Sequence, residues 1–243
     1  MSRSKKRLNN RLTWRLQFET LDSTHGNKTP NMRTKTLVLS SLLGLAAFPL
    51  VAQTNVYSVN AVGYVQTTFP QGQYKLFCNP LNTTNNTIGN LIKNAPDFSN
   101  LYKWNGTAYQ TATYASFLGG WDLPTITLNP GEGAFFNSNG PFTNTFVGEV
   151  LQGSLSNSVP VGYAIRSSQV PQAGPVSTVL GLSNLSDFDN LYQYTPGVGY
   201  TTYTYVSFLG GWSPSEPNLA VGEAVFLNTA AGAKWNRTFS VNN

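Results

Sequence analysis

Histidine, cysteine and charge are scarce wherever this 243-residue sequence looks able to fold. The single histidine, His25, sits in a basic N-terminal stretch. Without an imidazole downstream, Ser-His-Asp and Cys-His catalysis and most zinc sites are excluded. The single cysteine, Cys78, has no partner for an internal disulfide. Within Tyr74-Lys-Leu-Phe-Cys-Asn-Pro80 it reads as a small buried hydrophobe rather than a reactive thiol. The one strongly apolar run, Thr36 to Ala52 (TLVLSSLLGLAAFPLVA), is too short and wrongly flanked for a membrane span.

What that run does resemble is a secretory signal peptide: basic residues, an apolar stretch, then small residues around Ala52. Met32 is its natural start, which gives a signal peptide at 32–52 and cleavage near Ala52 or Gln53. Residues 1–31 show no apolar periodicity and read as a disordered upstream extension. Nine of the fifteen basic residues precede position 36. Past the signal, six Lys and Arg face eight Asp and Glu, so the net charge of +5 for the whole chain becomes −2. No cation cluster remains to track phosphates, and nucleic acid is excluded as a partner. These features predict a secreted, cell-surface or periplasmic protein with no membrane span in its mature part.

Beyond the signal the chain is duplicated. Asp97-Phe-Ser-Asn-Leu-Tyr102 recurs as Asp187-Phe-Asp-Asn-Leu-Tyr192, and Ser116-Phe-Leu-Gly-Gly-Trp121 recurs intact as Ser207-Phe-Leu-Gly-Gly-Trp212. Over Tyr109 to Asn137, an offset of 91 gives 15 identities in 29 positions, more than chance supplies. Val62-Gly-Tyr64 matches Val161-Gly-Tyr163, Gly131-Glu132 matches Gly222-Glu223, and Thr145-Phe146 matches Thr238-Phe239. The repeats are set at 55–150 and 151–243.

Short runs of Val, Ile, Thr, Tyr and Phe bounded by Gly, Pro and Asn predict strands throughout. Tyr203 and Tyr205 alternate with Thr202 and Thr204, which gives one buried and one solvated face. The first repeat has one helical candidate, Asn86 to Asn94, and its counterpart, Ser177 to Leu185, carries Gly181. The expected fold is all-β: two tandem repeats, each a small β-sandwich or partly open barrel with at most one short helix.

Four rings stand out as stacking platforms for a sugar: Trp104, Trp121, Tyr194 and Trp212. The glycine pairs Gly119-Gly120 and Gly210-Gly211 precede two of them, so those two indoles are equally explained as closing a core over a tight turn. Glu132, between Gly131 and an apolar run, and Glu223, after Gly222, each read as a carboxylate fixing a turn. Hydrolysis by that pair would require both carboxylates in one open cleft. Asp97, Asn100, Asp187, Asp189 and Asn190 offer oxygen ligands without EF-hand spacing, and an Asx turn is the simpler account. No metal site, cofactor or catalytic residue is assigned.

Val59-Asn-Ala-Val-Gly-Tyr-Val65, Leu101-Tyr-Lys-Trp-Asn-Gly106, Gly119-Gly-Trp121 and Leu128-Asn-Pro-Gly-Glu-Gly133 resemble a group of uncharacterised exported proteins of verrucomicrobial bacteria. The resemblance implies an exported tandem β protein and carries no chemistry with it. Phe, Tyr and Trp make up 28 of the 191 residues from Gln53 onward, against 14 charged ones. That polar, aromatic surface predicts a non-catalytic structural or interaction protein, with polysaccharide, other surface proteins or further copies of itself as partners. The alternative is a carbohydrate-binding module using exposed aromatics.

Overall fold

β-branched and aromatic residues fit the pleated, half-buried surface of a sheet, and the runs rich in them form seventeen strands within residues 60–242. These are the residues described by the computed structural model; the extension at 1–31 and the signal at 32–52 lie outside them. In the first repeat, β1 (Val62–Phe69) precedes β2 (Tyr74–Cys78), a single helical turn α1 (Ile88–Leu91), β3 (Asn100–Trp104), β4 (Tyr109–Ala115), β5 (Gly120–Trp121), β6 (Gly133–Asn137) and β7 (Phe142–Glu149). Five of these strands make an open antiparallel sheet in the order β2-β6-β3-β4-β5, while β1 and β7 pair with each other as a separate ladder.

The second repeat follows the same plan. It consists of β8 (Gly153–Val159), β9 (Gly162–Arg166), β10 (Gly174–Pro175), β11 (Leu182–Ser183), β12 (Asn190–Thr195), β13 (Gly199–Val206), β14 (Gly211–Ser213), β15 (Asn218–Leu219), β16 (Val225–Thr229) and β17 (Ala233–Phe239). Its five-stranded sheet runs β14-β13-β12-β16-β9, and β8 pairs with β17 as β1 does with β7. The chain is thus all-β, with two similar open sheets and one short helix among the described residues.

One sequence expectation is corrected here. Val62-Gly-Tyr64 and Val161-Gly-Tyr163 are not structural equivalents: the first opens the outer strand β1, the second the sheet strand β9. Ladder register instead sets β2 against β9, so Lys75, Leu76 and Phe77 correspond to Ala164, Ile165 and Arg166. The helical candidate shrinks to α1, and its counterpart is a turn followed by β11. Gly181 there has φ +85°, and its Cα lies so close to the Asn236 carbonyl that a side chain has no room. A helix cannot pass through that point.

Three apolar clusters result. Phe69, Phe77, Phe136 and Phe146 are fully buried between the first sheet and the β1–β7 ladder, with Leu101 and Trp121 beside them. Burial of each such side chain contributes about 1.5–3 kcal/mol. Leu191, Val225, Leu227 and Trp235 fill the corresponding place in the second repeat. The third cluster lies between the sheets: Leu76, Cys78 and Phe135 from the first meet Ile165 and Ala224 from the second. Both repeats belong to one compact unit.

The join has internal twofold character. The edge strand of each sheet takes the Gly-Glu turn of the other, through the bridges Phe77–Glu223 and Glu132–Arg166. Cys78 N–H donates to Gly222 O at 2.9 Å, and Ser167 N–H to Gly131 O at 2.9 Å. Gly133 makes the close approach feasible, since a Cβ there would lie 2.4 Å from Ile165 Cγ2.

Candidate functional site

Strand alternation puts Leu101 in the outer core, so Tyr102 and Trp104 face the other sheet. The same logic turns Tyr194 inward from β12, opposite Leu191. Between the sheets these rings do not fill the space. A cleft of about 350 Å³ remains, lined by Tyr74, Tyr102, Tyr109, Phe135, Tyr194 and Tyr200. Both repeats contribute, and every lining residue is aromatic.

Most of the rings meet edge to face. Phe135 sits 5.3 Å from Tyr194 at 89°, and Tyr194 sits 5.0 Å from Tyr200 at 72°. Tyr102 and Tyr109 are 6.4 Å apart at 86°. Such geometry sets the positive rim of one ring against the negative face of the next and fixes the cleft walls. Burial raises the Tyr102 phenol pKa, with Tyr74 adding to the effect, and burial alone raises that of Tyr109. The Tyr200 phenol is pushed up to about 12, first by burial and then by Tyr109 and Tyr194. The cleft therefore offers neutral hydroxyls that donate and accept hydrogen bonds, beside apolar ring faces.

The four rings singled out from sequence separate into two pairs. Trp104 and Tyr194 both pack against the cluster between the sheets. Tyr194 lines the aromatic cleft; Trp104 lies 5.0 Å from its Tyr109 and donates from Nε1 to Tyr163 O at 2.9 Å. Trp121 is buried in the first outer core and donates to Ile92 O at 2.9 Å. Trp212 packs against the second outer core and donates to Ser177 Oγ at 3.0 Å. Gly119, Gly120, Gly210 and Gly211 all have positive φ, so the glycine pairs build the turns that bring these two indoles back to their sheets.

Both glutamates fix turns. Glu132 Oε2 accepts from Asn129 N–H at 2.8 Å and from Lys103 Nζ at 3.0 Å. Glu223 Oε2 accepts from Ala220 N–H at 2.8 Å, while its Oε1 accepts from Gln193 Nε2 at 2.8 Å. Gly131 and Gly222 open these turns with φ of +83° and +76°. The carboxylates line different cavities: Glu132 one with Lys103, Trp104 and Arg166, Glu223 another with Lys75 and Tyr194. They do not share an open cleft.

The candidate oxygen ligands are likewise occupied. Asp97 accepts from Ser116 N–H and Oγ–H, Asp187 from Ser207 N–H, and buried Asp189 from the N–H groups of Ser186 and Ala230. Asn100 and Asn190 each accept from a threonine hydroxyl on the next strand, at 2.8 Å. No group of three or more metal-ligating residues occurs among the described residues. Cys78 is buried between the sheets, and burial pushes its thiol up to about 12.

Sequence reasoning missed Tyr74, Tyr102, Tyr109, Phe135 and Tyr200. The signal was present: Tyr102 and Trp104, like Tyr192 and Tyr194, lie two apart beside a core leucine, which marks an aromatic second face. The fold and cleft define an all-β tandem protein with an uncharged aromatic cleft between its halves. Comparison with known proteins finds no matching family model, curated protein or solved structure.

Proposed function

We propose that this chain is a non-catalytic carbohydrate-binding module acting outside the cytoplasm, with the six-ring cleft as its binding site. The observation that carries the reading is the lining itself: ring faces pack against the C–H faces of a pyranose, and neutral phenols bond its hydroxyls. No cation or carboxylate lines the cleft, so the ligand is an uncharged saccharide. The apolar run after a basic flank, and the resemblance to exported proteins, support a location where such polymers occur.

The test is titration calorimetry with neutral oligosaccharides selected from a glycan array, on the chain and on Tyr194→Ala and Tyr200→Ala. Each ring is expected to contribute about 1–2 kcal/mol, a loss of roughly tenfold in affinity per substitution. Binding that survives both substitutions, or that is confined to acidic glycans, overturns the reading.

A further inference from the structure

The two motifs that reveal the duplication leave their phenylalanines and a leucine in solvent. Phe98, Phe117 and Leu118 are 60%, 67% and 77% exposed, and their counterparts Phe188, Phe208 and Leu209 are 66%, 69% and 68% exposed. Each set is one patch: Phe98 and Phe117 lie 5.9 Å apart, Phe188 and Phe208 6.4 Å apart. A core requirement preserves an apolar residue by burying it. These six are kept identical between the repeats and remain unburied.

The backbone beneath them is strained. Phe98 has φ +66° and Phe188 φ +70°, a left-handed conformation that costs a bulky residue of order 1–3 kcal/mol. The surroundings enforce it. Phe98 N–H donates to Tyr114 O and Phe188 N–H to Tyr205 O, while Asn100 and Asn190 side chains donate to the carbonyls of Phe98 and Phe188. Asp97 and Asp187 tie the same loops to Ser116 and Ser207. Asparagine would relax the strain, yet both positions hold phenylalanine. The fold spends stability to hold two aromatic knobs outward.

We propose that these knobs are a pair of self-association surfaces, each docking on a second copy of this chain. Three observations select that occupant. The knob is present twice on one compact unit, so its partner must itself be repetitive. The paired rings are tilted by 53° and 62°, which denies a flat sugar polymer two coplanar faces. The side chains forming each knob are all apolar, and the ionisable groups tied to the loops are the carboxylates of Asp97 and Asp187, so no cation draws the knob to an anionic membrane.

The size of the knob sets the strength. With about 150–250 Å² per large side chain, the exposed fractions give each patch on the order of 400 Å². A like-with-like contact then buries roughly 800 Å², below the ~1,200–2,000 Å² of a stable dimer. One contact is weak, and two per chain generate open-ended, concentration-dependent assembly.

The experiment is sedimentation of the purified full chain over micromolar to millimolar concentrations, with Phe98→Asn plus Phe117→Ser, with Phe188→Asn plus Phe208→Ser, and with all four. Mean mass should rise continuously for the unchanged chain, stop at dimer for either single-patch variant, and stay at monomer for the fourfold variant. Phe98→Asn alone should leave the melting temperature unchanged or higher, which a packing role would not. A chain that is monomeric throughout, or a fourfold variant that assembles as before, overturns the proposal. So does flotation of the unchanged chain, but not the fourfold variant, with phosphatidylcholine vesicles, which makes lipid the occupant. None of these variants touches the cleft residues, so saccharide binding should survive them.

Discussion

Replacing Glu132 by glutamine should destabilise the chain more than replacing Glu223, although the two occupy the same place in their repeats. Both accept a backbone N–H at 2.8 Å across the turn. The difference lies in the other partner: Lys103 for Glu132, with the pair 15% and 22% exposed, and neutral Gln193 for Glu223. Both bonds reach a charged carboxylate and contribute about 1.5–3 kcal/mol each, and the positive charge of Lys103 adds an ion pair of about 1 kcal/mol that Gln193 lacks. Glutamine keeps a carbonyl for the backbone N–H but forfeits the ion pair. Lys103 Nζ keeps the Thr127 carbonyl at 2.6 Å but faces a neutral amide in place of its counter-charge. The expected loss is about 2 kcal/mol for E132Q and about 1 kcal/mol for E223Q. Urea unfolding with linear extrapolation reads both, and an unchanged slope confirms that only stability moved. Lys103→Gln recreates the pairing of the second repeat, so its loss should equal the gap between the other two. Equal losses for E132Q and E223Q, or the reverse order, would refute the argument that the turns differ by one ion pair.

Other outcomes follow from the same geometry. Trp121→Ala should cost about 3–5 kcal/mol, because it empties a buried site against Tyr114 and Phe136; Trp212→Ala, at a partly exposed site, should cost clearly less, and calorimetric melting compares them. Cys78 should resist a thiol reagent in the native chain and react at once in denaturant; stoichiometric native labelling would contradict its burial and its thiol at about 12. Tyr200 ionises near 10 when unfolded and at about 12 when folded. The folded state therefore holds the proton longer, so its stability is intact below pH 10 and falls from 10 to 12. Tyr200→Phe should flatten that fall in a pH series of urea midpoints.

Much of the architecture was legible because its signals are local. The repeated Asp97 and Asp187 motifs, the glycine pairs and the two Gly-Glu turns each do their work within a few residues, and each occurs twice. The cleft was harder to see. Alternation shows that Tyr102 and Trp104 share a face, but nothing in a single strand says that the face meets another sheet rather than water. The Val-Gly-Tyr match misled for the same reason: Tyr64 belongs to an outer ladder and Tyr163 to a sheet, and only long-range pairing tells them apart. Nothing in the sequence sets Gly133 apart from the apolar run it opens, yet its task is to let two sheets touch.

The reciprocal turn exchange between the sheets has a consequence for how such a molecule can be cut. Separating the chain near Val150 would strip each edge strand of its cap and open Leu76, Cys78, Phe135, Ile165 and Ala224 to water. Each fragment, left with that apolar face bare, should pair with a twin to restore the lost twofold. A tether converts that encounter into an intramolecular one and lets the halves drift apart in detail, which is how Phe77 on one side can face the role that Arg166 fills on the other.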